Sequence, residues 1–257
     1  MDKQHLKKIS NELLKTFIDA GERSIKLREI GLKKEIKSDN TPVTNGDIEV
    51  NNILTKKIKN ITPDIPIVSE ESSSNKSNTE MNNFWLIDPI DGTYDYVNNK
   101  DEFTLNAALI INKKPELGII YAPAKKRLFY TYGFGLSFEL ADNKEIKLTC
   151  EKKTGQNEVK AVSYSENLKP VISELHKKFK VTDHTKMKSS LKFCVVATSE
   201  FDLYVAEPRA SEWDIAAGHA ILKNAGGIIT DFNGNEIFYG KKDFKNPSLI
   251  IKRSENL

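Results

Sequence analysis

Cysteine is scarce: Cys150 and Cys194 are the only two in 257 residues. That is too few for a disulfide framework, and their spacing fits no zinc motif. Long apolar runs are missing too, and none approaches the roughly 18–20 residues that span a bilayer. The start, Met1-Asp2-Lys3-Gln4-His5, has no apolar stretch of the secretory kind. A reducing cytoplasm is the simplest compartment, with no integral membrane segment. Nor is there an excess of either charge: 39 basic against 36 acidic side chains leave +3. That balance, without basic or aromatic clusters, argues against a nucleic-acid partner. No Walker A loop, Gly-x-Ser-x-Gly elbow or dinucleotide fingerprint occurs.

What is present is an ordinary soluble composition, long enough for one large domain or two intimate halves. Leu6, Ile9, Leu13, Phe17, Ile25 and Ile30 recur at helical spacing, which predicts a long amphipathic helix over 2–30. Residues 37–42 read as polar loop. Thr44-Asn45-Gly46-Asp47 resembles a capping box, opening a second helix to about Lys59. Residues 65–70 read as a strand that delivers Glu70 at its end. The Ser/Asn-rich stretch 72–81 reads as surface loop.

Segments 104–112, 116–121, 127–132, 135–140 and 145–149 predict an antiparallel meander. From 159 onward strands and helices alternate, which argues for α/β layering. The expected strands are 159–164, 180–184, 202–206 and two more at the end. The expected helices are 168–179, 189–199 and 213–225. The whole is expected to be one catalytic unit, with an α+β half over about 1–150 and an α/β half over about 151–257.

The most informative stretch is Trp85-Leu86-Ile87-Asp88-Pro89-Ile90-Asp91-Gly92-Thr93. An apolar run ends in two carboxylates flanking a proline that forbids helix there. Gly92 and Thr93 supply a turn and a helix N-cap. A strand end of this kind aims Asp88, the Ile90 carbonyl and Asp91 at one point, beside the amides of a new helix. Such a point suits hard cations and a phosphate. Taken singly, Glu70, Asp88, Asp91 and Asp214 have plain structural readings as turn formers, caps or surface acids. Together they stand where apolar elements end, the place where α/β folds put ligands. Converging carboxylates repel, and a multivalent cation removes that cost. An all-oxygen set favours Mg²⁺ or Mn²⁺ over Zn²⁺.

Ser189-Ser190-Leu191-Lys192-Phe193 places two hydroxyls and a lysine at a helix start, a candidate anion site. His219 and Cys194 read as core residues, and Gly226-Gly227 as a helix C-cap.

Three blocks in order, Val68-Ser69-Glu70-Glu71, Asp88-Pro89-Ile90-Asp91-Gly92-Thr93 and Trp213-Asp214-Ile215-Ala216-Ala217-Gly218, resemble the Mg²⁺-dependent, lithium-sensitive phosphomonoesterases of the inositol monophosphatase superfamily. Within it the chain is most similar to the bacterial 3′(2′),5′-bisphosphate nucleotidases of the CysQ type, through Asp39-Asn40-Thr41-Pro42-Val43-Thr44 with Asp47 and through 189–193. The resemblance runs from about residue 5 to 252. It implies a layered αβαβα sandwich. It also implies two or three Mg²⁺, with Mn²⁺ as a substitute, on Glu70, Asp88, the Ile90 carbonyl, Asp91 and Asp214. Substrate phosphate would sit on those metals and on the Gly92 and Thr93 amides. Thr93 and Asp47, with Glu70 beside them, would orient and deprotonate the attacking water. Ser189, Ser190 and Lys192 would bind the rest of the substrate.

Two departures stand out. Related enzymes often carry His or Arg shortly after the strand ending at Ser163, and this chain has Tyr164-Ser165-Glu166. Val205-Ala206-Glu207-Pro208-Arg209 likewise sets no base where some relatives have one.

The implied reaction removes the 3′-phosphate of adenosine 3′,5′-bisphosphate, and of 3′-phosphoadenylyl sulfate, giving AMP from the first. Such an enzyme clears a by-product of sulfate transfer in the cytoplasm, with peripheral contact to the inner membrane face left open. The alternative is an inositol or other sugar monophosphatase. A metal-binding regulator without catalysis is a different class, against which intact Thr93 and Asp47 argue.

Overall fold

The computed structural model describes residues 1–36, 42–71, 76, 81–142, 144–151 and 158–257. The calls made on Asp39, Asn40 and Thr41, and on most of 72–81, lie outside these.

Helix α1 (Lys3–Ile30) begins on the Asp2 side chain, which accepts from the His5 amide at 2.8 Å, and stops at left-handed Gly31. Leu6, Ile9, Leu13, Phe17 and Ala20 form its buried face. It packs beside α2 (Asn45–Ile61), which opens on the expected Thr44–Asp47 capping box. Part of the expected polar loop is instead strand. β1 (Lys34–Ile36) pairs antiparallel with β2 (Pro42–Thr44).

The first sheet runs β3-β4-β5-β6-β7-β8-β9, comprising Ile67–Ser69, Phe84–Asp91, Thr104–Ile111, Lys114–Ala122, Arg127–Thr131, Ser137–Ala141 and Lys144–Lys147. β3 and β4 are parallel, and from β4 onward it is the antiparallel meander. The second sheet, order β11-β10-β12-β14-β13, comprises Val181–Lys186, Val159–Ser163, Leu203–Ala206, Leu249–Lys252 and Ile228–Thr230. The remaining helices are α3 (Thr93–Val97), α4 (Pro170–Lys178), α5 (Leu191–Ala197) and α6 (Glu212–Asn224).

Strand alternation builds the layers, because successive side chains leave opposite faces of a sheet. In β4, Trp85 and Ile87 join α1 and α2 in an outer core. Phe84 and Leu86 face inward, into a core shared with α5, α6 and the second sheet. Val162, Tyr204 and Ala206 enter that inner core, while Ala161, Leu203 and Val205 pack outward under Ile172 and Leu175 of α4. The order is therefore helix, sheet, helix, sheet, helix. α6 lies so close to β6 that a Cβ on Gly118 would stand 2.5 Å from the Ala217 carbonyl oxygen. His219 is buried in α6 with Nδ1 2.9 Å from the Tyr239 hydroxyl, and Cys194 is buried in the inner core. Among the described residues, no helix is long and apolar enough to cross a membrane.

Candidate active site

β4 carries the carboxylate pair, and its register sets their direction. Asp88 pairs with Asn106 and Asp91 with Thr104, so β4 advances three residues while β5 advances two. The extra residue falls at Pro89-Ile90, where proline cannot donate to the ladder. In an unbroken strand, residues three apart face opposite ways. The bulge restores parity, so Asp88 and Asp91 share the face of Asn106 and Thr104. On this face the Asp88 Oδ1, Thr104 Oγ1 and Asn106 Oδ1 atoms are buried and receive no donor.

Glu70 arrives from the parallel neighbour β3, its amide bonded to the Ile87 carbonyl at 3.0 Å. Asp214 stands in the first turn of α6, where the Ser211 amide donates to its Oδ2 at 2.7 Å. The four carboxylates feel one another. Burial, then Glu70, Asp91 and Asp214, push Asp88 far above the usual carboxylate range. Asp214 is pushed up to about 8 by burial, then by Asp91 and Glu70. Asp91 also rises through burial, opposed by Lys192 and Ser190. As they stand, Asp91 takes the Ser190 hydroxyl and Asp214 the Ser211 amide, while Asp88 is pressed by the neighbouring carboxylates. Accordingly, among the described residues no three His, Cys, Asp or Glu side chains are gathered tightly enough to hold an ion without moving.

Asp47 lies buried opposite the β4 end. Its Oδ2 accepts from the Thr44 amide at 2.7 Å and the Thr44 hydroxyl at 2.6 Å. Its Oδ1 is 3.1 Å from Thr93 Oγ1, which is also 3.1 Å from the Ile90 carbonyl oxygen. Burial raises the Asp47 pKa against those bonds. Thr93 was expected to cap α3, but it is the first helical residue. The cap is Gly92 at φ 95°, a left-handed turn suited to glycine.

The Ser189–Lys192 segment, distant in sequence, opens onto the same cavity as Asp91 and Asp214, a space of about 110 Å³. Ser189 sits at φ 53° and Ser190 precedes α5. The structure alters the role expected of Ser190. Its hydroxyl has one proton, set between Asp91 Oδ2 at 2.7 Å and the Asp214 carbonyl oxygen at 2.5 Å. Asn106 Nδ2 donates into the same oxygen at 2.9 Å. Ser190 therefore ties β5, β4 and α6 together instead of offering a spare donor to an anion. Lys192 is buried, with Nζ donating to the Ser189 carbonyl. Burial pulls its pKa down to about 8, against the pull of Asp91.

Sequence reasoning did not single out Asn106, Tyr204 or Glu212. The signal for Asn106 was there, since Thr104-x-Asn106 puts two polar side chains on one face of an apolar strand. Glu212 is fully buried and accepts from the Gly240 and Lys241 amides at 2.7 and 2.9 Å and from Lys241 Nζ at 2.7 Å. It braces the helix start that presents Asp214. Nothing in the sequence marked it.

Residues 2–256 match the model of the inositol monophosphatase family, to which the chain belongs. It is 34% identical to the 3′(2′),5′-bisphosphate nucleotidase CysQ of Salmonella typhimurium, over 84% of this chain and 87% of that one. Identity to the protein of the same name from Buchnera aphidicola is 38%, over 79% and 76% of the two chains. The crystal structure of CysQ from Bacteroides thetaiotaomicron, a bacterial member of the inositol monophosphatase family, superposes with a TM-score of 0.77 at 28% identity, covering 95% of this chain and 97% of that one.

Proposed function

We propose that this chain is a metal-dependent phosphomonoesterase that removes the 3′-phosphate of adenosine 3′,5′-bisphosphate, and of 3′-phosphoadenylyl sulfate, as one cytoplasmic catalytic unit of two halves. The observation that carries the proposal is a single cavity lined both by carboxylates, Asp91 and Asp214, and by cationic side chains, Lys192 and Arg209. The names of the nucleotidase relatives point the same way.

The donor set fits a hard divalent cation. It is all oxygen, with Asp88 Oδ1 buried and receiving no donor, and with carboxyl groups whose raised pKa expresses a shortage of positive charge. Glu70, Asp88, Asp91, Asp214 and the Ile90 carbonyl would hold two or three Mg²⁺, or Mn²⁺ in their place. When bound, such ions lower the pKa of water and offset charge on phosphate and leaving oxygen.

The protein groups do the rest. Thr93 Oγ1 accepts a hydrogen bond from the attacking water and passes its own proton toward Asp47 Oδ1. The Thr44 cap holds the other Asp47 oxygen, so the accepting one stays aimed at Thr93. Water oxygen bonds to phosphorus as the bond to the 3′-oxygen breaks; that oxygen takes a proton from solvent water and leaves as a hydroxyl, and Asp47 then gives its proton back to solvent. No covalent enzyme intermediate is required. Gly92 and Thr93 bring backbone amides to the phosphate.

The test is phosphate release from adenosine 3′,5′-bisphosphate, adenosine 3′-monophosphate and inositol 1-phosphate at equal concentration, with Mg²⁺ and with EDTA. The bisphosphate should have the highest kcat/KM, and only with metal. Preference for inositol phosphate would make the chain a sugar monophosphatase, using the carboxylates alone.

A further inference from the structure

Tyr164 and Arg209, on loops far apart in the chain, meet in space. Tyr164 follows β10 and Arg209 follows β12. The Arg209 Cζ atom lies 3.6 Å from the Tyr164 ring centroid, and Lys188 Nζ lies 3.2 Å from it. At these distances neither cation fits in the ring plane, so both lie over the ring. Tyr164, Arg209 and Lys192 all line the cavity that holds Asp91 and Asp214. Lys192 Nζ is 5.9 Å from the same ring and 5.3 Å from that of Tyr204.

Among the described residues, none of these three cations has a carboxylate at ion-pair distance. The acid on the same wall, Glu207, is taken by Lys169 at 2.5 Å. Lys192 is the buried one of the three, and ring contact compensates only part of what its charge loses on leaving water, while Arg209 is held on the ring at the solvent-facing mouth. The loop carrying Arg209 is pinned one residue later, where the Asn246 amide and Nδ2 donate to the Ala210 carbonyl at 3.2 and 3.1 Å. A guanidinium held against an aromatic ring keeps its outer edge of N–H groups free for a phosphate.

We propose that Arg209, held on Tyr164, forms with Lys192 the subsite for the phosphate that is not hydrolysed. Lys188 and Tyr164 are positioning residues for it. The inference rests on the nucleotidase reading above and assigns the residues that discriminate a bisphosphate from a monophosphate.

The experiment compares wild type with Arg209→Gln, Tyr164→Leu, Tyr164→Phe and the control Lys186→Ala, an exposed lysine loosely paired with Glu166 at 3.8 Å. One readout is the ratio of kcat/KM for adenosine 3′,5′-bisphosphate over adenosine 3′-monophosphate. The other is calorimetric titration of AMP, with adenosine as reference, in EDTA. Arg209→Gln should lower the ratio and AMP affinity each by about ten- to a hundredfold, the usual weight of a charge-assisted contact. Tyr164→Leu should follow it, Tyr164→Phe should retain most of both, and Lys186→Ala should match wild type. Where wild type prefers the bisphosphate, an unchanged ratio in Arg209→Gln, or a parallel fall on both substrates, overturns the proposal. So does wild type binding AMP no better than adenosine. If wild type shows no preference for the bisphosphate, yet AMP binding depends on its phosphate and is lost in Arg209→Gln, the subsite stands and the nucleotidase reading falls.

Discussion

Replacing Asp47 with asparagine tests the water-activating pair with almost no change in shape. The cap decides which way the new amide points. The Thr44 amide and hydroxyl both donate to Asp47 Oδ2, at 2.7 and 2.6 Å. Asparagine can accept those bonds only with its carbonyl oxygen, which turns its NH₂ toward Thr93. Thr93 then receives a hydrogen bond where it formerly gave one. Its own proton is left to the Ile90 carbonyl, 3.1 Å away. The cap survives, so stability should change by less than about 1 kcal/mol. The route for the water proton is lost, and kcat should fall about 10²–10⁴-fold, or roughly 2.7–5.4 kcal/mol in the barrier. KM should move little. Steady-state kinetics with thermal melts of Asp47→Asn, Thr93→Ala and the double variant decide the matter. Two groups acting as one relay give a double variant little worse than the worse single variant. Losses that multiply, or a near-normal kcat in Asp47→Asn, would refute the relay.

Exhaustive EDTA treatment should abolish phosphate release, and Asp91→Asn should do the same with the fold retained, as circular dichroism would show. In EDTA the folded chain holds protons the unfolded chain releases, because Asp214 titrates at about 8 against an ordinary 3.8. Stability should therefore decline as pH rises from about 4 to about 8, Mg²⁺ should restore it, and Asp214→Asn should flatten the slope. His219 has the opposite sign. Burial pulls its pKa down to about 3 from 6.5, so its contribution is present above pH 6.5 and is lost as pH falls toward 3. The slope approaches 1.4 kcal/mol per pH unit, and His219→Gln should make acid unfolding shallower. Glu212→Ala leaves the buried Gly240 and Lys241 amides without an acceptor. At about 1–3 kcal/mol each, the melting temperature should drop by roughly 5–20 °C, and a drop under about 2 °C would show that water replaces the carboxylate.

Local pattern carried much of this protein. The 3.6-residue spacing of Leu6, Leu13 and Phe17 and the capping box at Thr44 place α1 and α2 within a residue or two of where they lie. The meander and the later alternation are legible for the same reason, since apolar periodicity states which face of an element must leave water. The Asp88–Thr93 block announces itself because proline and glycine constrain the backbone within a few residues. The pairing of 34–36 with 42–44 was not legible, because strands of three residues, the first of them exposed, carry no apolar stripe. What tertiary structure alone decided is convergence. The register shift that turns Asp88 and Asp91 to one face depends on β5 as well as β4. The Ser190 proton is committed because α5 docks between Asn106 and Asp214. Arg209 meets Tyr164 because β10 and β12 are neighbours in one sheet. Periodicity tells each element which side to bury, but which side chains then meet depends on how elements far apart in the chain pack against one another.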